Sequence, residues 1–187
     1  MRAVQILVNL LNDENDEVLT NTVGAIAACV KYQSNRETLR VCGGLAPLVY
    51  LLNGTHPPLL ENISKALMEC AKDLNSMAIL EELDAVRLLW SLLKNPHPRV
   101  QAYAAWALCP CIENASESGE LVRCLVGAME LVVRLLKSNE NLVLSAVCAA
   151  IATIAKDKEN LSILTDHKVV YMLADLGMRK KKKISQI

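Results

Sequence analysis

The sequence predicts an all-α solenoid of about four three-helix repeats, and three observations predict it. The 187-residue chain is 52% apolar yet holds no Phe, only 2 Trp and 4 Tyr, so its core must be aliphatic. Its 31 Leu and 21 Ala are strong helix formers, whereas a sandwich or barrel would favour Val, Thr and aromatics. The pair Leu10-Leu11 recurs as Leu51-Leu52, Leu92-Leu93 and Leu135-Leu136, at separations of 41, 41 and 43 residues, with a degraded copy at Leu176-Gly177. An independent column, Ala25, Ala66, Ala107 and Ala150, shares that period and its two-residue insertion. Repetition at this spacing marks stacked units that bury a continuous core only together.

Met1 to Leu11 reads as a helix rather than a signal peptide, because Gln5 and Asn9 interrupt its apolar stretch and Asp13, Glu14, Asp16 and Glu17 follow. Asn12, Asp13 and Asn15 offer caps to the next helix. Gly43-Gly44 reads as a helix C-cap turn, where Gly accepts a left-handed backbone. Pro57 and Pro58 suit the first turn of a long helix, whose leading donors are unsatisfied anyway. Through the middle of the chain the spacing predicts helices near 75–84, 85–94 and 98–114, the last opened by Pro96 and Pro98. Ser138, Asn139 and Asn141 are the expected caps of the final long helix. The units are 13–53, 54–94, 95–137 and 138–178, preceded by a partial repeat 1–12 and followed by a basic tail, 179–187; together 1–178 form one solenoid domain.

The final unit departs from pattern. Lys168 stands where Gly is expected and Tyr171 where Pro is expected. Val169, Val170, Met172, Leu173 and Leu176 lack a third helix to cover them, so the expectation is a fragment, truncated product or isoform of a longer repeat protein.

Lys and Arg total 20 and Asp and Glu total 20, but five cations are the run Arg179 to Lys183, which leaves 15 against 20 elsewhere. An acidic body disfavours nucleic acid as a partner, and the tail reads as a solvated end. No stretch reaches the ~18 apolar residues of a membrane span, so the chain reads as soluble and cytoplasmic.

Two segments carry a resemblance. Gly43-Gly44-Leu45-Ala46-Pro47-Leu48-Val49-Tyr50-Leu51-Leu52 and Ala104-Ala105-Trp106-Ala107-Leu108, repeated in register, resemble the turn, second helix and third helix of the armadillo-repeat family. The resemblance implies a right-handed superhelical solenoid with a concave groove walled by the third helices, and a protein-protein interaction scaffold. The run Val86 to Pro98, with Trp106-Ala107-Leu108-Cys109-Pro110-Cys111, is similar to armadillo scaffolds of the ciliary axoneme. That likeness implies partners among axonemal docking-complex subunits, the microtubule doublet or dynein arm components. The alternative is a general intracellular adaptor that holds a peptide in its groove. Armadillo import receptors carry a Trp and, four residues on, an Asn in successive repeats; here those columns read Gly24, Lys65, Trp106, Ala149 and Ala28, Glu69, Pro110, Thr153, so that role is not expected.

Site chemistry points to binding without turnover. Cys29, Cys70 and Cys111 fill one repeat column completed by Ile154. Stacked helices lie ~8–10 Å apart, too far for a disulfide ladder, so these thiols read as small apolar fillers in a reducing compartment. His56, His97 and His167 fall at separate joints, and Gly43-Gly44 lacks the Lys and Ser or Thr of a phosphate loop. No enzyme, cofactor or metal is expected. The candidate protein-binding residues are Tyr103, Trp106 and Pro110, at spacings of three and four on one helical face, and Glu61, Lys65 and Glu69 on the preceding long helix. Pro110 is expected to kink its helix.

Overall fold

The computed structural model describes residues 2–124 and 127–184, all of them in helices and short connections, with no strand among the described residues. The chain enters in α1 (Arg2–Asn9), which tightens into a 3₁₀ turn at Leu10–Asn12. Among the described residues four triplets follow; in the first three a long helix leads two shorter ones, and in the fourth the last helix is the longest. They are α2 (Asp16–Cys29), α3 (Gln33–Val41) and α4 (Leu45–Leu51); α5 (Pro57–Cys70), α6 (Leu74–Glu82) and α7 (Ala85–Leu92); α8 (Pro98–Asn114), α9 (Ser118–Arg123) and α10 (Ala128–Leu135); and α11 (Asn141–Ile154), α12 (Lys158–Asp166) and α13 (Val169–Ile184). The long helices α2, α5, α8 and α11 pack each on the next, forming one continuous wall.

The repeat columns are packing columns. Leu11, Leu52, Leu93 and Leu136 are buried, as are Ala66, Ala107 and Ala150, where only a methyl fits between neighbouring long helices. Ala25 is exposed, on a flank of α2 that no other long helix covers. Cys70, Cys111 and Ile154 are fully buried, Cys29 is half-buried, and all seven cysteines are free thiols. Burial pushes the Cys70 and Cys111 thiols up to about 12, so both stay neutral and pack as apolar groups.

The turn between the two short helices has one geometry throughout. Gly43 (φ 71°), Asp84 (φ 57°), Gly127 (φ 74°) and Lys168 (φ 60°) occupy the same register position and all have left-handed backbone. The expected 75–84 helix therefore stops at Glu82, because Asp84 must reverse the chain rather than extend it. Gly44 answers a different need: a Cβ there would stand 2.4 Å from Leu39 Cδ1.

Helix starts follow the sequence in part. The Asn15 side chain accepts hydrogen bonds from the Glu17 and Val18 N–H groups and caps α2. Pro57 and Pro98 open α5 and α8 after His56 and His97. At α11 the cap position falls to Glu140, which makes no side-chain cap bond; Ser138 Oγ instead accepts from Glu140 N, and Asn141 lies inside the helix. In the last unit Val169 is buried against the expectation, and Met172 and Leu173 pack partly on the core, because α12 covers one side of α13; Val170 remains 53% exposed. The backbone of α13 stays helical through the basic run to Ile184, and residues 185–187 of the tail lie outside the described residues.

Candidate protein-binding groove

The candidate binding residues stand at the centre of the wall of long helices, on α5 and α8. Tyr103 and Trp106, three residues apart on α8, meet edge to face with ring centroids 5.5 Å apart at 62°. Both rings are half-buried, each keeping an open surface. Pro110 lies lower: it is buried within α8, which runs on through it to Asn114. Cys109 Sγ lies 3.5 Å from the Ala105 carbonyl oxygen, and burial raises its thiol pKa.

The charged residues of α5 find partners mainly on other helices or turns. The Arg99 guanidinium on α8 donates to both Glu61 carboxylate oxygens at 3.0 and 3.1 Å. The Lys65 ammonium lies 4.2 Å from the Tyr103 ring centroid and 3.3 Å from Asn62 Oδ1. Arg99 lies 5.8 Å from the same ring centroid, so two cations contact the Tyr103 ring. Glu69 is taken by Lys72 at 2.8 Å. The i, i+4 spacing of Glu61, Lys65 and Glu69 therefore serves contact between repeats more than support within one helix.

Two residues of this centre were not among the sequence candidates, and both had a signal. Arg99 follows Glu61 by 38 residues, one period less three, which is the offset that sets two side chains face to face across adjacent helices. Asn62 donates to the Thr20 carbonyl on α2, 42 residues back. The same one-period bond recurs from Asn114 to Ala71 and from Asn160 to Gly119.

On either side of this centre the wall is low. Gly24 and Ala28 on α2, and Ala149 on α11, occupy the equivalent positions of Trp106 and Pro110, while Thr153 bonds back to the Ala149 carbonyl. His56, His97 and His167 stand at three separate joints. Among the described residues no cluster of His, Cys, Asp or Glu is arranged to hold a metal ion, and no helix is long and apolar enough to cross a membrane.

No family model matches the chain. Solved structures do: a designed armadillo repeat protein in complex with the peptide (KR)4 superposes with a TM-score of 0.84 at 27% identity, covering 94% of this chain and 74% of that one. A second designed armadillo repeat protein gives 0.81 at 28% identity over the same shares. The fold is an armadillo-repeat solenoid. In armadillo terms α2, α5, α8 and α11 are the third helices, and Tyr103, Trp106 and Lys65 lie on the inner wall. Among curated relatives, "Armadillo repeat-containing protein gudu" of Drosophila melanogaster is 74% identical over 68 residues, 36% of this chain and 10% of that protein. "Outer dynein arm-docking complex subunit 2" is 61% identical over 69 residues in Mus musculus and 54% identical over 76 in Bos taurus. The chain spans 7–10% of the length of these relatives.

Proposed function

We propose that this armadillo array is a non-enzymatic scaffold of the ciliary axoneme, part of the docking complex that attaches outer dynein arms to doublet microtubules. The observation that carries this reading is the identity of 61% and 54% to one docking-complex subunit in two organisms over more than a third of the chain. The partners it would hold are other docking-complex subunits, with the doublet or the dynein arm beyond them. The inner wall supports a binding role physically. Repeats stitched by bonds one period apart form a stiff surface, and the half-exposed Tyr103–Trp106 pair is the kind of aromatic anchor that dominates protein interfaces. The groove's ion pairs are already satisfied internally, so affinity is expected to rest on the aromatic centre.

The test is affinity purification of the tagged chain from ciliated cells, beside the Trp106→Ala variant, with imaging of axonemes after its depletion. Recovery of axonemal docking subunits, and outer arms missing from the doublets, would support the proposal. A general adaptor is the second reading, favoured by the aromatic centre alone. It would be preferred if the chain captured partners equally from cells without cilia and depletion left the arms in place. For Trp106→Ala we expect partner affinity to fall by about 2 kcal/mol, roughly thirtyfold, and stability by only about 1 kcal/mol, the scale of the lost aromatic pair. Equal losses in binding and melting would mark Trp106 as plain packing.

A further inference from the structure

The side of the solenoid away from the inner wall carries a second feature. The 3₁₀ turn, α4 and the start of α7 enclose an open cleft of about 770 Å³ floored by Leu11, Val49, Leu83 and Leu88. Tyr50 stands at its lip with 77% of its surface exposed. It also walls a smaller hollow of about 330 Å³ lined by Asp16. Asp13 lines the larger cleft, and Asp13, Glu14, Asp16 and Glu17 are all exposed within five positions. His56 Nδ1 lies 3.9 Å from Asp16 Oδ2, while Arg87, just beyond the cleft's Leu83, is paired with Asp84. The lip is thus an apolar floor beside an acidic rim with an amphipathic ring between them.

We propose that this cleft seats the basic segment Arg179–Ile184 of a second copy of the chain. The charges are complementary: outside Arg179–Lys183 the chain has 15 cations against 20 anions, and the five consecutive cations restore the balance. Met178, immediately before the segment and 60% exposed, supplies the aliphatic side chain that the floor requires. The segment is held away from the cleft of its own molecule, because α13 is continuous helix through Ile184 and packs on α12, whereas the cleft belongs to the first two triplets, two or three packed layers back, roughly 16–30 Å at 8–10 Å per layer. The contact is therefore head to tail between molecules, with different surfaces meeting.

Two measurements on the full chain test this: sedimentation velocity across concentration and salt, and fluorescence anisotropy with a labelled synthetic peptide of residues 178–187. Concentration-dependent association and peptide binding are expected, both weakening severalfold as salt rises from about 50 to 300 mM, because exposed charges are screened. Tyr50→Ala, and Asp13→Asn with Asp16→Asn, should each weaken the peptide about tenfold. Melting temperatures should be unmoved, since Tyr50 is exposed and Asn can still accept the Asn15 N–H bond that Asp13 holds. Replacing Lys180 to Lys183 with Gln should abolish self-association. A chain that stays monomeric and ignores the peptide overturns the proposal. So does peptide binding that survives Tyr50→Ala, or that is lost instead in Trp106→Ala, which would place the segment in the inner groove and leave the scaffold reading untouched.

Discussion

Lys168 shows how a single residue bears the cost of the repeat. Its φ of 60° matches Gly43 and Gly127, but a side chain in this conformation costs roughly 1–2 kcal/mol. Lys168→Gly is therefore expected to stabilise the chain by about 1 kcal/mol in urea denaturation, after allowing for the greater freedom of Gly in the unfolded state. Asp84, at the same position, should gain less. Its short polar side chain tolerates left-handed backbone, and its ion pair with Arg87 would be lost. Cys70 and Cys111 carry a pH signature. Their folded pKa is about 12, against an ordinary 9.0. The folded state thus holds these protons more tightly, and its advantage is complete below pH 9 and lost as pH rises from 9 towards 12. Titrating stability across that window in Cys70→Ala or Cys111→Ala should show a shallower alkaline decline than in the parent chain. Thiol reagents at pH 8 should label both residues only at the rate of opening.

The helices show where sequence sufficed and where it did not. α8 begins and ends where proline chemistry and periodicity put it, because Pro98 fixes the first turn locally. The ends of α6 and the cap of α11 escaped, since each depends on a neighbour: Asp84 on a turn shape imposed by the repeat, and Glu140 on the connection from α10. In the groove Trp106 was legible as an isolated aromatic. The contact of Lys65 with Tyr103 and the pairing of Arg99 with Glu61 were not, because each joins α5 to α8 across 38 residues of sequence. Caps also offer the plainest test at this scale. Asp73 accepts from both the N–H and the hydroxyl of Ser76. Chiefly the hydroxyl bond, with the backbone bond and Arg40 and Arg36 assisting, holds its pKa below 3.8. Asp73→Ala should cost about 1 kcal/mol at neutral pH. In the parent chain this stabilisation is present above the ordinary carboxylate range and fades as pH falls through the depressed value, so the two stability curves should converge in acid.

Across the molecule, side-chain bonds between repeats span about one period, as in Asn62 to Thr20, Asn114 to Ala71 and Asn160 to Gly119. Stability in such an array is close to a sum of units and their interfaces. Hydrogen exchange should be slowest along α5 and α8, which have long neighbours on both sides, and faster in α1 and α13, where Ile6 and Tyr171 are exposed. Uniform protection along the chain would contradict that additive behaviour. The inner wall itself is not uniform, and this has a consequence for anything that lies along it. A surface repeating identically every 41 residues would let an elongated guest shift by one step at almost no energetic difference. With bulky rings raised at one station and Gly24, Ala28 and Ala149 at the others, that degeneracy is removed. A guest with a single matching apolar residue has one resting phase, so the solenoid fixes position along its axis as well as attachment.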